Sequence, residues 1–242
     1  MKVVAIIQAR MGSTRLPGKV LKDLGGKTVL SRVINRVRRA LLIDELLVAT
    51  TDQPADDAIA DECRNCSVRT TRGAEEDVLD RYVRAAQLSQ ADTVVRITSD
   101  CPLIDPDITD KTIQAFLDQQ PDYASNALLR TYPRGLDTEV MTTLALERAW
   151  RQATRPYERE HVTPYIYEHA DEFKLLSVTG EADYSDHRWT LDTHEDLAFV
   201  RAVYARMEGQ DFGWRDVLRL LEREPGLVEL NRSVAQKVLD EG

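Results

Sequence analysis

The strongest constraint on the fold is an alternation of short apolar runs and helical periods along the first half of the chain. Residues 3–7 are a β-branched apolar run that ends in a loop rich in glycine and proline, as is typical of a buried parallel strand. Apolar residues then recur at the helical spacing over 28–41. The same alternation gives strands at 45–50, 68–70 and 93–97 and helices at 56–63, 77–88 and 107–117. It predicts a parallel sheet with helices on both faces.

After residue 122 the alternation becomes less regular. Short strands are expected at 122–125, 138–141 and 173–178, a strand-like run at 188–191, and helices at 144–153, 160–167, 194–207 and 212–222. Strands interleaved in this way predict a mixed sheet with an insertion off its edge. We therefore predict an α/β fold with a single domain over 1–242, from which a segment at about 128–180 protrudes as a small subdomain.

Composition excludes several classes of partner. The chain has 242 residues, of which 41 are acidic and 32 basic, so its net charge is −9. A general nucleic-acid binder needs a broad basic face, and an acidic surface also disfavours anionic membranes. No apolar run approaches the roughly 20 residues of a membrane helix, and no signal-peptide cleavage site follows the first run. Three cysteines are too few for a disulfide framework. We expect a cytoplasmic protein that binds neither nucleic acid nor membrane.

The loop after the first strand reads Gln-Ala-Arg-Met-Gly-Ser-Thr-Arg-Leu-Pro-Gly-Lys. Its three cations, Arg10, Arg15 and Lys19, fall within ten residues of an otherwise acidic chain. Small residues such as Gly12 and Ser13 let the backbone turn its N–H groups toward a ligand. Guanidinium forks hold phosphate oxygens bidentately, and a lysine adds a point charge. The loop predicts a pocket for a di- or triphosphate, and the alternative is a solvated basic loop.

Two distant aspartates each follow a strand-like run. Asp100 comes after the strand at 93–97, and Asp192 comes after the run at 188–191. Ligands of such sheets bind outside the carboxyl ends of the strands, so we expect both carboxylates at that edge. Mg²⁺ takes one or two carboxylates together with phosphate oxygens and water, as metal-assisted phosphoryl chemistry requires. Taken singly, Asp100 is also interpretable as a turn former and Asp192 as a helix cap.

Several motifs resemble those of the cytidylyltransferases that make CMP-activated sugar acids. They include the loop at 8–21, Asp100-Cys101-Pro102 and Leu191-Asp192-Thr193-His194-Glu195-Asp196-Leu197. In these the chain is similar to 3-deoxy-manno-octulosonate and acylneuraminate cytidylyltransferases. The segments at 72–82, 134–139 and 159–165 look like the spore-coat polysaccharide biosynthesis protein F-type branch. The resemblance covers nearly the whole chain.

The resemblance implies a three-layer αβα fold of the nucleotide-diphospho-sugar transferase type, with a mostly parallel sheet. It implies transfer of CMP from CTP to a small acidic sugar, or a similar acid, with release of pyrophosphate for surface polysaccharide biosynthesis. It also implies Mg²⁺ as cofactor and a homodimer formed through the inserted segment. The alternatives are another sugar nucleotidyltransferase, a glycosyltransferase that consumes a nucleotide sugar on the same sheet, or a silent nucleotide-binding module.

The resemblance further implies roles for individual residues. The nucleotide-binding set is Ala9, Arg10, Gly12, Ser13, Arg15, Lys19, Arg72 and Gly73. The catalytic set is Arg10, Arg15, Lys19 and Asp100, and the metal ligands are Asp100 and Asp192. The acceptor-binding set is Arg134, Asp137, Glu139, Arg159 and His161. For two of these residues another interpretation stands, in which Arg159 and Glu160 form a surface ion pair and His161 packs against the inserted subdomain.

Two further patterns are interpreted as structural. Cys63 and Cys66 have zinc-site spacing, but no second pair completes four ligands. Asp105-Pro106-Asp107 has the Asp-x-Asp spacing that many glycosyltransferases use for metal, yet its position predicts a cap for the helix at 107–117.

Overall fold

The fold is built on one seven-stranded sheet, seen in a computed structural model that describes residues 1–208 and 210–236. The strands are β1 (Val3–Gln8), β2 (Glu45–Thr51), β3 (Arg69–Gly73), β4 (Thr93–Thr98), β5 (Tyr123–Ser125), β6 (Glu139–Thr142) and β7 (Leu175–Ser177). The α-helices are α1 (Val29–Val37), α2 (Asp57–Asn65), α3 (Val78–Ser89), α4 (Pro106–Gln119), α5 (Thr143–Gln152), α6 (Pro156–His161), α7 (Pro164–Glu168), α8 (His194–Arg206) and α9 (Trp214–Arg223).

The sheet is mostly parallel, as the alternation of strands and helices predicts. Its order is β3-β2-β1-β4-β6-β5-β7, and the first four strands of that order run parallel. Only β6, among the described strands, runs antiparallel to its neighbours, β4 and β5. The carboxyl ends of β1 to β4 therefore meet at one edge, and the loops that follow them lie close together.

Strand β1 shows why the sheet carries helices on both faces. Val3, Ala5 and Ile7 pack in a core that also contains residues of α1, α2 and α4. Val4 and Ile6 face the opposite core, which contains residues of α3 and α5. Successive side chains of a strand point to opposite faces, so a run without polar residues needs cover on both sides. The predicted three-layer αβα arrangement is confirmed.

The segment 128–180 contributes both strands and helices to the domain. It supplies β6 to the interior of the sheet and β7 to an edge, and its helices α5 and α6 pack against α3. Its protrusion as an inserted subdomain stays a prediction. Its roles in acceptor binding and dimerisation stay predictions.

Two local expectations differ from the structure. The single helix expected at 160–167 is divided into α6 and α7, because Val162 adopts a φ of +74° and Pro164 cannot donate a helical hydrogen bond. The strand-like run at 188–191 makes only an isolated bridge, between Arg188 and Arg134. Within the described residues, no helix combines the length and apolarity that crossing a membrane demands.

Candidate functional site

The loop after β1 is closed by its own backbone. Ala9 continues the strand by donating its N–H to the carbonyl of Ala49 at 3.1 Å. At the other end, the Gly18 N–H donates to the Met11 carbonyl at 3.1 Å, and Gly18 has a φ of +66° that favours glycine. Leu16 is buried and anchors the middle of the loop. Lys19 then begins a short 3₁₀ helix, so its position is fixed by the turn.

Four successive backbone N–H groups in this loop are available to a ligand. In the part of the chain that the structure describes, the N–H groups of Gly12, Ser13, Thr14 and Arg15 donate to no protein acceptor. A Cβ at Gly12 would lie 2.9 Å from Oε1 at the end of the Glu75 side chain, so Glu75 lies close to the backbone of the first loop. Successive free N–H groups favour an anion.

Lys19 brings together the two aspartates predicted from the sequence. Its Nζ donates to Asp100 Oδ2 at 2.8 Å and to Asp192 Oδ1 at 2.8 Å. Asp100 follows β4, whereas Asp192 lies just before α8. The cationic loop and the two acids thus meet at the carboxyl edge of the sheet.

Asp192 reaches this edge through contacts with the loop after β4, not as part of a strand. The Leu191 N–H donates to the Asp100 carbonyl at 2.8 Å, and Thr190 Oγ1 donates to the same oxygen at 3.2 Å. The turn at Gly135 packs closely on the same segment, because a Cβ there would lie 2.6 Å from the carbonyl carbon of Trp189. The contact between the segment before Asp192 and the backbone of Asp100 therefore sets the distance between the two carboxylates.

Burial and charge compete within this group. Burial alone would lower the pKa of Lys19, but the charges of Asp100 and Asp192 outweigh it and raise that pKa above its ordinary value. Burial alone would raise the pKa of Asp100, but the Lys19 ammonium holds it below the usual range. Both residues therefore stay charged near neutral pH.

Two arginines complete the environment of Asp192. Arg15 Nη2 and Arg188 Nη2 each lie 3.0 Å from Asp192 Oδ2. The carboxylate therefore contacts three cations at once, of which two come from the first loop.

A sequence profile of the cytidylyltransferase family matches residues 4–212. The chain belongs to the cytidylyltransferase family. It is therefore a CTP-dependent nucleotidyltransferase, and the expectation drawn from the motifs is confirmed at this level.

Individual relatives agree with the family. The chain is 36% identical over 231 residues to the spore coat polysaccharide biosynthesis protein SpsF of Bacillus subtilis, covering 92% of this chain and 95% of that protein. It is 39% identical over 117 residues to a 3-deoxy-manno-octulosonate cytidylyltransferase of Trichlorobacter lovleyi, covering 48% of this chain and 46% of that protein. The structure of a cytidylyltransferase from Leptospira borgpetersenii has a TM-score of 0.92 and 34% identity, with 98% of this chain and 100% of that chain covered.

The donor set of this cytidylyltransferase fits a divalent cation bound jointly with its substrate. Among the described residues, no group of three or more His, Cys, Asp or Glu side chains is arranged to hold a metal alone. Asp100 and Asp192 nevertheless hold one cationic atom, Lys19 Nζ, between them. Two carboxylates suit Mg²⁺ when phosphate and water oxygens supply its other ligands.

The remaining residues predicted to bind nucleotide lie along the edge formed by β1, β2 and β3. Arg10 Nη2 lies 3.2 Å from Glu160 Oε1 of α6. Arg72 braces the loop after β2, since it donates to the carbonyls of Thr51 and Gln53 at 2.8 Å and 3.0 Å and pairs with a carboxylate of α2. At Gly73 a Cβ would lie 3.0 Å from Arg81 Cγ.

Three of the predicted acceptor residues have firm internal partners. Asp137 accepts a bidentate pair from Arg130, at 2.5 Å and 2.8 Å. Arg159 Nε donates to Asp77 Oδ1 at 3.1 Å, which ties α6 to the start of α3 instead of pairing with Glu160. Glu139 is buried and pairs with Arg96.

Glu139 lies in a buried group that joins β4 to the following strands. It pairs with Arg96, its register partner on β4, and it accepts from the Tyr123 hydroxyl at 2.7 Å. Burial would lower the pKa of Arg96, but the Glu139 charge raises it. Arg96 Nε also donates to Gln8 at 3.2 Å, so the pair reaches the end of β1.

Arg134 differs from these paired residues. Among the described residues, its guanidinium has no hydrogen-bond or ion-pair partner, although the side chain is half-buried. Burial and the nearby charge of Arg130 lower the pKa of Arg134, whereas Asp137 and Asp192 act in the opposite direction. A cation in this setting is stabilised by an anionic ligand. The last predicted acceptor residue, His161, lies at the end of α6.

The Asp105-Pro106-Asp107 triplet and Cys63 have structural surroundings in this cytidylyltransferase. Asp105 caps α4 by accepting from the N–H groups of Asp107 and Ile108 at 3.1 Å and 3.3 Å, so the expected cap is confirmed. Cys63 is buried in the core, and burial raises the pKa of its thiol to about 12.

The sequence did not predict the residues that form hydrogen bonds and ion pairs with the predicted site residues and their neighbours. Arg188 and Asn231 carry no local signal, because their partners lie far along the chain or across a turn. The contact of Glu160 with Arg10 spans 150 residues. Asp196 had a visible signal, since Thr193-x-x-Asp196 has the spacing of a capping box and forms one in the structure.

Proposed function

We propose that this cytidylyltransferase transfers CMP from CTP to a small acidic sugar, or a similar acid, with release of pyrophosphate. One observation carries the proposal: Lys19 lies between Asp100 and Asp192 beside the free N–H groups of the first loop. Cationic groups for a triphosphate and carboxylates for its metal thus share one edge of the sheet. A role in surface polysaccharide biosynthesis belongs to the proposal, supported by the similarity to SpsF.

The first loop binds the triphosphate in this proposal. Arg10, Arg15 and Lys19 supply positive charge, and the N–H groups from Gly12 to Arg15 supply donors, with Ala9 at the start of the loop. Arg72 and Gly73 line the nucleobase pocket. An acceptor oxygen attacks the α-phosphorus, and the bond from that phosphorus to the β-phosphate oxygen breaks. Arg15 and Lys19 stabilise the charge of the departing pyrophosphate.

Asp100 and Asp192 hold a magnesium ion in this proposal. The ion supplies charge neutralisation at the phosphate oxygens when it is bound. The two carboxylates contribute by facing each other across a single cationic position, and the contacts of Thr190 and Leu191 with the Asp100 carbonyl keep them there.

The acceptor is an acid in this proposal, and Arg134 supports that choice. Its guanidinium lies in the charge environment of Asp192 and has no protein partner among the described residues, so a carboxylate of the acceptor would complete it. Asp137 and Glu139 support the acceptor site in this proposal, held in place by their ion pairs with Arg130 and Arg96. Acceptor roles for Arg159 and His161 stay predictions.

The proposal also includes a cytoplasmic homodimer. Leu128, Leu129 and Leu144 are exposed apolar residues of the segment 128–180, and a partner subunit would bury them. Light scattering on the purified chain tests the oligomeric state. A monomer at micromolar concentration would contradict this part of the proposal without touching the reaction.

Pyrophosphate release tests the reaction itself. The chain is incubated with each of the four ribonucleoside triphosphates, Mg²⁺ and a panel of acceptors, namely sugar acids, neutral sugars and sugar phosphates. We expect pyrophosphate only with CTP and an acidic acceptor, and mass spectrometry should find CMP joined to that acceptor.

Other outcomes identify the alternatives. Release with a neutral or phosphorylated sugar indicates another sugar nucleotidyltransferase. Transfer from a nucleotide sugar without use of free CTP indicates a glycosyltransferase. CTP binding in a thermal-shift assay with no turnover on any acceptor indicates a silent module.

A further inference from the structure

A group of buried polar residues lies directly behind Asp192. Its centre is Asp196, in the first turn of α8, whose side chain is fully buried. The carboxylate accepts from Arg188 Nε and Nη2 at 2.9 Å each and from Asn231 Nδ2 at 2.9 Å. Asn231 also donates to the Arg188 carbonyl at 2.9 Å. Arg188 is therefore held at both its side chain and its backbone.

The same carboxylate fixes the backbone at Asp192. Asp196 Oδ2 accepts from the N–H groups of Asp192 and Thr193 at 2.9 Å and 3.1 Å. Thr193 Oγ1 accepts in return from the Asp196 N–H at 3.2 Å, which completes the capping box. The capping box is formed by Thr193 and Asp196 and does not require an arginine. Arg188 therefore has a function besides capping α8.

That function involves a contact with Asp192 itself. Arg188 Nη2 donates to Asp192 Oδ2 at 3.0 Å, and the Arg188 side chain is only 10% exposed. The other oxygen of Asp192, Oδ1, lies on the side of Lys19. Oδ2 also lies 3.0 Å from Arg15 Nη2, so the carboxylate is held from behind by Arg188 and contacts the cations of the first loop through both of its oxygens.

The three cations around Asp192 are held differently. Arg15 and Lys19 come from the loop whose other groups suit phosphate, and within the described residues they contact no carboxylates except Asp192 and, for Lys19, Asp100. Arg188 is anchored by Asp196 and Asn231. A triphosphate attracts Arg15 and Lys19, and a divalent cation replaces the two charges that they withdraw. Arg188 has no such competing ligand.

We infer that Arg188, held by Asp196 and Asn231, is a positioning residue that orients the Asp192 carboxylate for its cation. The inference rests on the proposed function, in which Asp192 holds a divalent ion. Residues that hydrogen-bond to metal ligands typically change metal affinity about 10–100-fold when they are replaced. We expect the same scale here, with little loss of turnover once metal saturates.

Three variants separate orientation from charge. Arg188→Lys keeps the positive charge and removes the guanidinium fork. The double variant Arg188→Gln with Asp196→Asn leaves the net charge unchanged and avoids an unpaired buried carboxylate. Asp192→Asn removes the proposed ligand itself. The control is Arg206→Gln, which breaks an exposed ion pair between α8 and Glu224.

Metal binding is measured directly with Mn²⁺ by electron paramagnetic resonance, on each protein in the presence of α,β-methylene-CTP. We expect Arg188→Lys and the double variant to raise the Mn²⁺ Kd about tenfold or more, and the control to leave it unchanged. The Mg²⁺ concentration for half-maximal pyrophosphate release should rise in parallel, with kcat at saturating Mg²⁺ within about threefold of the wild type. Circular dichroism establishes that each variant is folded.

The outcomes distinguish this inference from the function on which it rests. If Asp192→Asn loses Mn²⁺ while the folded Arg188 variants bind it like the wild type, Arg188 is a structural residue and the metal site stands. If Asp192→Asn binds Mn²⁺ normally, the proposed metal site and the positioning role both fail.

Discussion

The residues proposed to bind nucleotide, here called the nucleotide side, and those proposed to bind the acceptor, here called the acceptor side, hold their charges differently. On the nucleotide side, Lys19 and Arg15 pair with aspartates that a metal and a triphosphate can take over. On the acceptor side, Glu139 and Asp137 have partners of their own, Arg96 and Arg130, which are themselves largely buried. The ion pairs on the nucleotide side can be replaced by contacts with ligands. The ion pairs on the acceptor side keep the surrounding side chains in one conformation.

This difference means that the same substitution, removal of one charge, has different consequences in the two regions. Removal of the Glu139 or Asp137 charge leaves the largely buried Arg96 or Arg130 uncompensated and lowers stability. A change on the nucleotide side removes a group from the reaction while the fold persists.

The largest effect is expected for Glu139→Gln. This change leaves the buried Arg96 guanidinium without its counter-ion, and breaking such a pair costs about 3–5 kcal/mol of the free energy of unfolding. Urea denaturation measures it. The control is Glu147→Gln, whose contact with Arg151 is a helical pair worth about 0.2–0.5 kcal/mol. If Glu139→Gln is as stable as the wild type but has a raised acceptor KM, Glu139 binds acceptor and the contrast between the two sides is wrong.

Lys19→Met should have the next largest effect, on turnover. Loss of one donor to developing charge typically costs about 2.7–4 kcal/mol of barrier, which corresponds to about 10²–10³ in kcat. Lys27→Met is the matched control, because Lys27 is exposed in the turn that follows the same loop. Initial rates of pyrophosphate release are the measurement. A kcat within about threefold of the wild type would remove Lys19 from the catalytic set.

The nucleotide side was also the more predictable of the two from sequence. The cations of the first loop lie within ten residues, and the position of Asp100 after a buried strand brings it to the same edge. The topology of a parallel sheet then places loops from distant parts of the chain at one edge. Even so, Asp192 reaches this edge without being part of a strand, through the contacts of Leu191 and Thr190 with the Asp100 carbonyl.

The acceptor side depends on pairings that one sequence does not contain. Nothing local indicates that Arg159 selects Asp77 instead of its neighbour Glu160, or that Arg130 selects Asp137. Such choices follow from which helices pack together, here α6 on α3. The division between α6 and α7 was visible at Pro164, but a continuous apolar period concealed it.

Arg134→Gln should separate the acceptor from the nucleotide. A charged hydrogen bond to an acidic acceptor is worth about 1.5–3 kcal/mol, so the acceptor KM should rise about 10–100-fold while the CTP KM stays the same. Arg159→Gln provides the comparison, because its contact with Asp77 predicts lower stability, whereas its effect on the acceptor KM tests whether α6 also binds the acceptor. Steady-state kinetics with both substrates varied will decide. Equal effects of the two changes on the acceptor KM would show that α6 also binds the acceptor.

The smallest effects concern the contact between Arg10 and Glu160, where the two sides of the site meet. Both side chains are exposed, at 38% and 48%, and exposed ion pairs contribute about 0–1 kcal/mol. Glu160→Gln should therefore change the free energy of unfolding by less than about 1 kcal/mol and leave the CTP KM within about twofold. Arg10→Gln should raise the CTP KM about fivefold with the same small change in stability, because the arginine acts on phosphate and the glutamate only holds it between turnovers. If instead Glu160→Gln impairs CTP binding as much as Arg10→Gln does, the glutamate places the arginine for the triphosphate, and the first loop depends on α6 for its working shape.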